Sequence, residues 1–508
     1  MTHDGGMHAV AQRWSARLSV IALAASASLA FPKANWWWLG WVGFVPILLL
    51  VARAPTRREA MFRSWLAGAG FLTALHYWLI PFVGVFTIPV AAAMGLFWLP
   101  LGLAVWSFLR PDVGQWRRLS ALVVVPAVWV AVEWARSWEY LGGSWGLWGL
   151  TQWRIGPVIQ AAALGGVWLL SFLLLAVNVA LAQAVLARGP QRKVAVVAAV
   201  AIPLLMTVAG GLRPDPPVSG SLRIAGVQPG VSDSPRERFD AHLALTASLD
   251  PATFDVVVWG QSSVSLDPFG DPDVDEAIRS AAAAAGSDLF VNVDIRTGGR
   301  TTKSTMQYTP EGPVATYEKR RLVPFGEYIP LRPLLGWVSG VTEAAAADRV
   351  RGDAATTMRT ADTAIGPLIS YESTFPDLRR ELALLGADVT VVQGASWTFQ
   401  GTWAQPQQAS YEAIRAVESG RPAVLVAVSG TSAAFDARGR RLAWVPADEE
   451  VAFVVEVPLS QEETPYVRFG DWVVWLSLGV AATAAAMPLV LRLRARSRPD
   501  ATGSRRNA

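Results

Sequence analysis

The chain has 508 residues, 52% hydrophobic and only 17% charged. It is too long for one small domain and too apolar for an ordinary soluble protein, which carries about 25% charge. The net charge of +4 comes mostly from arginines clustered between apolar runs, a pattern of cytoplasmic loops rather than of a nucleic-acid surface. Zero cysteines exclude disulfides, thiolate metal sites and a cysteine nucleophile. Four scattered histidines (His3, His8, His76, His242) do not make a triad or a zinc site.

Apolar runs near the length of a membrane span fall at 17–31, 36–52, 64–82, 86–109, 119–135, 158–187 and 194–212. The first follows Arg13 and Arg17 and ends in Ala25-Ser26-Ala27-Ser28-Leu29-Ala30, a pattern shared with signal peptides. Another apolar run begins a few residues later, so it is read as a retained helix. Arg53, Arg57, Arg58 and Arg63, then Arg110, Arg117 and Arg118, then Arg188, Arg192 and Lys193 mark every second loop as cytoplasmic. An eighth run, 472–491, precedes Arg492, Arg494, Arg496 and Arg498. The expected organisation is a cytoplasmic N-terminus (1–16), seven spans (17–212), an extracytoplasmic domain (220–459), an eighth span (472–491) and a basic cytoplasmic tail (492–508).

Trp36, Trp37, Trp38, Trp41, Trp138, Trp145, Trp148 and Trp153 gather near the expected outer face as interfacial anchors. The Gly- and Trp-rich stretch 138–155 is long for a connector and is expected to lie against the external domain, bordering a lipid path. Glu133 is costly in lipid and is expected to pair with Arg136.

From 220 onward, short strands alternate with helices. Strands are expected at 222–227, 256–259, 289–293, 314–317, 367–370, 389–393, 423–428 and 451–457. Helices are expected at 236–248, 274–285, 377–385 and 407–419. This alternation predicts an α/β layered domain whose active groups gather at strand ends. No Gly-rich phosphate loop or dinucleotide fingerprint is present, and no cofactor is called for.

Three strand ends stand out. The run Val256-Val257-Val258-Trp259 enters Gly260-Gln261-Ser262-Ser263. A second strand leads into Tyr317-Glu318-Lys319-Arg320-Arg321-Leu322-Val323-Pro324-Phe325-Gly326-Glu327-Tyr328-Ile329-Pro330. The third delivers Ser370, followed by Tyr371-Glu372-Ser373-Thr374-Phe375-Pro376. A buried strand that hands a small nucleophile to a turn is a common acyl-transfer arrangement. Lys319 is one of four lysines in a chain that otherwise uses arginine, which points to a role for a compact ammonium.

On these motifs the chain resembles the bacterial apolipoprotein N-acyltransferases, eight-span membrane enzymes with an extracytoplasmic nitrilase (carbon–nitrogen hydrolase) domain. Further matching pieces are Gly386-Ala387-Asp388, Trp397, Arg415-Ala416, Glu418-Ser419-Gly420-Arg421-Pro422 and Ser429-Gly430-Thr431-Ser432, with Trp129, Glu133, Arg136 and Gly143-Ser144-Trp145 in the membrane half. The resemblance implies an αββα fold and a two-step transfer. A Glu base activates a Cys that takes an acyl chain from a phospholipid, and the chain then passes to the α-amine of a diacylglyceryl-cysteine on an apolipoprotein. A Lys steadies the oxyanion. Carried over, the Lys is Lys319, but the Glu position holds Gln261 and the Cys position holds Ser370. Glu327, Tyr371, Glu372 and Trp397 fall on accessory positions. The family's Trp-Pro-Glu reads Trp259-Gly260-Gln261 here, and its Asn-Asp pair reads Gly394-Ala395.

A serine hydroxyl depends on a base, and glutamine cannot serve as one; base help is worth roughly 10²–10⁴-fold. The substitutions therefore predict a weak or inactive copy. A neutral Lys319 acting on Ser370 is one chemical escape. The alternative is a pseudoenzyme that binds lipid or lipoprotein, or that anchors a partner such as polyprenol monophosphomannose synthase, a partner linked to some members of the family.

Overall fold

The computed structural model describes residues 3–297, 300–340, 345 and 347–496. Helix occupies each apolar run of the first half: His3–Ala27, Leu39–Val42 with Val45–Ala52, Arg57–Leu75, Thr87–Gly95 with Leu99–Leu109, Gln115–Arg136, Ala162–Leu186 and Pro190–Leu212. Among the described residues four helices are long and apolar enough to cross a membrane: Tyr77–Leu109, Gln115–Arg136, Ala162–Leu186 and Pro190–Leu212. The C-terminal helix runs from Trp472 to Arg496, and the rest of the expected basic tail lies outside the described residues.

The first helix is built into this bundle. Arg17 donates to both carboxylate oxygens of Glu59 at 3.2 and 2.7 Å, and Arg63 joins at 3.0 Å. Gly70 lets the backbones approach, since a Cβ there would stand 2.8 Å from the Ile21 carbonyl. Ala27, Ser28 and Ala30, in the signal-like stretch, are buried.

Glu133 does not pair with Arg136. Its carboxylate accepts the Trp148 amide at 2.6 Å, while Arg136 donates to the Trp145 carbonyl at 2.9 Å. The i,i+3 spacing favours an ion pair on an isolated helix. Here the Gly-rich loop folds back over the helix end and supplies backbone partners to both groups.

The second half contains strands β1 (Gly220–Gln228), β2 (Val256–Trp259), β3 (Asp288–Thr297), β4 (Arg300–Thr309), β5 (Gly312–Glu318), β6 (Met358–Thr360), β7 (Thr363–Ile369), β8 (Val389–Gly394), β9 (Ala423–Ala427), β10 (Ser432–Phe435), β11 (Arg441–Val445) and β12 (Val451–Leu459). They form two six-stranded sheets, ordered β12-β1-β2-β3-β4-β5 and β11-β10-β9-β8-β7-β6. Each has a parallel centre (β1-β2-β3; β7-β8-β9), one antiparallel strand on one flank and an antiparallel hairpin on the other.

Period-two alternation sorts the side chains into layers. Val256 and Val258 meet Ile365, Ile369, Val389 and Val391 between the sheets. Val257 and Trp259 face outward onto Phe239 of helix Pro235–Ala247 and Ile278 of helix Pro272–Ala285. On the far side, Leu368 and Val392 pack on helices Pro376–Leu384 and Ala404–Ser419, whose other faces join the core of the membrane half. The domain is therefore a helix–sheet–sheet–helix sandwich with one helical layer shared with the bundle.

That layer carries buried ion pairs. Arg379 bonds Glu412 and Arg415 bonds Glu418, all four fully buried. Glu418 also accepts the Val167 amide at 2.6 Å. The amide is free because the Ala162–Leu186 helix breaks at Gly165 and Gly166, the latter at φ +68°.

Candidate active site

The three strand ends converge through shared hydrogen bonds. At β7, Ser370 follows Ile369 in a left-handed conformation, φ +52°, which a non-glycine residue adopts at a cost of about 1–3 kcal/mol. A five-residue 3-10 turn, Ser370–Thr374, then leads to the helix started by Pro376. The sharp bend leaves Ser370 half-buried at the turn. Its hydroxyl bonds to no described residue, and its carbonyl accepts from Gln408 at 3.1 Å.

Glu372 holds the bend. One carboxylate oxygen takes the Ile369 amide at 2.9 Å. The other takes the Arg320 amide at 2.8 Å, the Arg321 amide at 3.0 Å and the Tyr317 hydroxyl at 2.9 Å. One fully buried side chain thus ties the end of β7 to the end of β5, fixing Ser370 relative to the Lys319 loop. Burial pushes its carboxyl up, against the pull of Lys319 and the three amides.

Lys319, fully buried, donates to both oxygens of Glu327 at 2.9 and 2.8 Å. Glu327 also accepts the Val323 amide at 2.9 Å. Burial works to raise this carboxyl, but Lys319, Lys303 and Arg349 around it hold it below the usual range. The ammonium is engaged by both oxygens of one carboxylate. Among the described residues no hydrogen bond joins Lys319 to the Ser370 hydroxyl.

Gln261 follows β2, its amide bonded to the Gly394 carbonyl at 3.0 Å. A side chain on Gly260 would meet the Val428 amide nitrogen at 2.4 Å, so glycine lets the end of β2 slide under the end of β9. The Gln261 side-chain oxygen is buried without a hydrogen-bond partner. Such an atom costs about 1–3 kcal/mol. Gln393, at the end of β8, bridges the sheets by donating to the Trp259 carbonyl at 2.8 Å and the Phe290 carbonyl at 2.9 Å.

Two accessory positions lie further out. The Tyr371 hydroxyl donates to the Glu139 carbonyl at 3.2 Å, and its ring meets Phe375 edge-on at 4.9 Å. Trp397 is exposed beneath the Arg238 guanidinium, 5.1 Å away, and Arg238 in turn donates to the Ser262 carbonyl at 2.8 Å. The 138–155 stretch rests on this domain: Trp145 donates to Gln407 at 2.9 Å, and Glu139 pairs with Arg351 at 3.0 Å and Arg321 at 3.3 Å.

Sequence reading missed a second polar group beside Gln261. Ser262, also left-handed at φ +54°, accepts from Lys303 of β4, which pairs with Asp294 of β3 at 2.6 Å. Arg349 lies 3.6 Å from Asp294 and 3.7 Å from Glu327. The one available signal was that Lys303 is another of only four lysines.

Two family profiles match the chain: the apolipoprotein N-acyltransferase N-terminal domain over residues 23–180 and carbon-nitrogen hydrolase over residues 273–464. The apolipoprotein N-acyltransferase of Geobacter metallireducens is 29% identical over 490 residues, covering 91% of this chain and 92% of that one. That of Azotobacter vinelandii is 28% identical, covering 96% and 97%. Among solved structures, the carbon-nitrogen hydrolase of Helicobacter pylori G27 is similar at 18% identity and a TM-score of 0.38, covering 49% of this chain and 93% of that one. With one profile on the helical half, the other on the double-sheet half, and relatives aligned from end to end, the chain is similar along its whole length to the apolipoprotein N-acyltransferases.

Proposed function

We propose that this chain binds the substrates of its family, a phospholipid acyl donor and the diacylglyceryl-cysteine end of a lipoprotein, at the ends of β2, β5 and β7, and that N-acyl transfer through Ser370 is weak or absent. The chain is a membrane protein. In this reading it crosses the membrane eight times, with both termini inside and the nitrilase-like domain outside, as the arginine-rich loops support.

The carrying observation is the paired state of Lys319. With both oxygens of Glu327 bonded to its ammonium, no described lysine or carboxylate bonds the Ser370 hydroxyl, and Gln261 offers an amide where a base would stand. The cradle is nonetheless intact: Glu372 keeps its four donors and Ser370 keeps its strained bend. Binding without efficient turnover fits both facts. Glu327, Tyr371 and Trp397 are assigned to the walls of this site.

Mass spectrometry of lipoprotein N-termini tests the reading, in cells where this chain is the sole family member. Diacylated N-termini with a free amine are expected, together with retention of phospholipid by the purified protein. Full triacylation dependent on Ser370 would overturn it.

A further inference from the structure

Next to the family positions lies a hydroxyl–amine pair that the family chemistry does not use. Ser262 and Lys303 are both buried, 3% and 2% exposed, and the lysine nitrogen donates to the Ser262 oxygen. Asp294 holds the same nitrogen at 2.6 Å and also accepts from Ser265 at 3.0 Å. Arg238 pins the Ser262 carbonyl at 2.8 Å, and Asn292 accepts the Ser262 amide at 2.8 Å. The strand carrying Lys303 is the neighbour of β5, and Lys319, the residue after β5, donates its amide to the Lys303 carbonyl at 2.8 Å. Ser262 immediately follows Gln261, whose side-chain oxygen is buried and unpartnered.

We propose that Ser262 is a second nucleophile, with Lys303 as its base and Asp294 as the group that positions the lysine, acting on fatty-acyl esters. A serine at a strand end in a left-handed bend, bonded to a lysine that a carboxylate orients, is the nucleophile–base–orienter arrangement of acyl-transfer sites. In the first step neutral Lys303 takes the hydroxyl proton as the Ser262 oxygen bonds to the ester carbonyl carbon. The tetrahedral oxyanion collapses, and the departing alcohol oxygen takes that proton from Lys303, leaving the acyl chain as an ester on Ser262. Water or an amine then attacks this ester and loses its proton to Lys303. The Ser262 oxygen departs and recovers the proton.

The lysine's surroundings suit the task. Burial pulls Lys303 down to about 8, with Asp294 and Glu327 opposing and Arg349 assisting. At neutral pH a useful fraction is then unprotonated, which a solvent-exposed lysine lacks.

The proposal takes from the preceding section only the substrate class, an acyl ester. Its test uses a small fluorophosphonate probe on the full chain in detergent, with the labelled residue mapped by peptide mass spectrometry. Label is expected on Ser262, at a rate that rises with pH to a midpoint near 8. Lys303→Met should slow labelling at least ~100-fold. That variant strands Asp294, so Ser262→Gly serves as the folded control: glycine accepts φ +54° without strain, and this variant should hold or raise the unfolding temperature while losing all label. Label on Ser370, no label, or a rate flat between pH 6 and 9 overturns the proposal. Phospholipid retention, scored separately by native mass spectrometry, reports on the binding reading and not on Ser262.

Discussion

The carboxylate of Glu372 accepts the amide proton of Ile369 at 2.9 Å, three residues back along the chain, and so closes the bend on which Ser370 stands. The same group holds two amides and a hydroxyl from the β5 end. Glu372→Ala leaves four buried donors unmet, at about 1–3 kcal/mol each. The expected result is a loss of several kcal/mol and early protease cleavage of the second half. Glu372→Gln turns an amide NH₂ toward some of those donors and should fall between the parent and the alanine variant. A thermal unfolding series in detergent orders the three.

Lys319 and Glu327 form a buried pair whose members depend on each other. Removing one partner of such a pair costs about 3–5 kcal/mol, because the other is left charged in a dry site. Lys319→Met and Glu327→Gln should each destabilise by amounts of that order. The double variant should cost clearly less than their sum, and a double-mutant cycle measures the difference. Additive effects would mean the pair is not coupled.

How far these arrangements were legible depends on what each strand faces. β2 and β7 read as strands because both are continuous apolar runs ended by polar residues. β4 did not, because Lys303, Ser304, Thr305 and Gln307 are all buried and polar. A strand whose inner face lines a polar site has the composition of an exposed loop. The same inversion hid the Ser262 group, since a lysine in a polar stretch reads as solvent-facing. Glu133 was legible as an acid in need of a partner, but that partner came from backbone folded over the helix end, which no side-chain spacing encodes.

Gly143 sits where the membrane loop meets the second half. It has φ +66°, and a Cβ would stand 2.5 Å from the Tyr371 hydroxyl and 2.6 Å from the Phe375 ring. Gly143→Ala must push the loop off this surface, weakening the Tyr371–Glu139 bond and the Glu139 ion pairs. Faster proteolysis between 138 and 155 is the expected outcome, with the inter-sheet core unaffected. Unchanged cleavage would show that the loop tolerates the shift.

Acid should expose the Asp294 cluster. Burial works against the Asp294 carboxylate, but Lys303 and Arg349 hold it down at about 2, against 3.8 for the free side chain. A carboxyl with a depressed native value stabilises fully above the unfolded value and loses that contribution as pH falls through the folded one. The stability gap between the parent and Asp294→Asn should therefore be level between about pH 5 and 7 and shrink as pH falls from about 4 to 2. Unfolding midpoints at pH 5, 4, 3 and 2.5 check the trend; a gap that widens on acidification would reverse the sign and discard the ion-pair account.

The sharpest prediction concerns rebuilding the family chemistry. Gln261→Glu is isosteric and replaces an unpartnered buried amide oxygen with a group that takes a proton. Ser370→Cys places a thiol, with an ordinary value of about 8.5, in a bend that Glu372 already holds. Neither change touches Lys319, so its pair with Glu327 stays in place. The double variant should restore triacylated lipoprotein N-termini in cells lacking other family members. Ser370→Cys alone should restore less, since only a few per cent of such a thiol is ionised at pH 7 without a base. Gln261→Glu alone should give the least, because a carboxylate is a poor match for a serine hydroxyl. That ranking, read as the triacylated fraction by mass spectrometry, separates a silenced catalytic site from one whose cradle has drifted: a double variant at background would mean the strand ends no longer hold the reacting atoms in register, whatever residues stand on them.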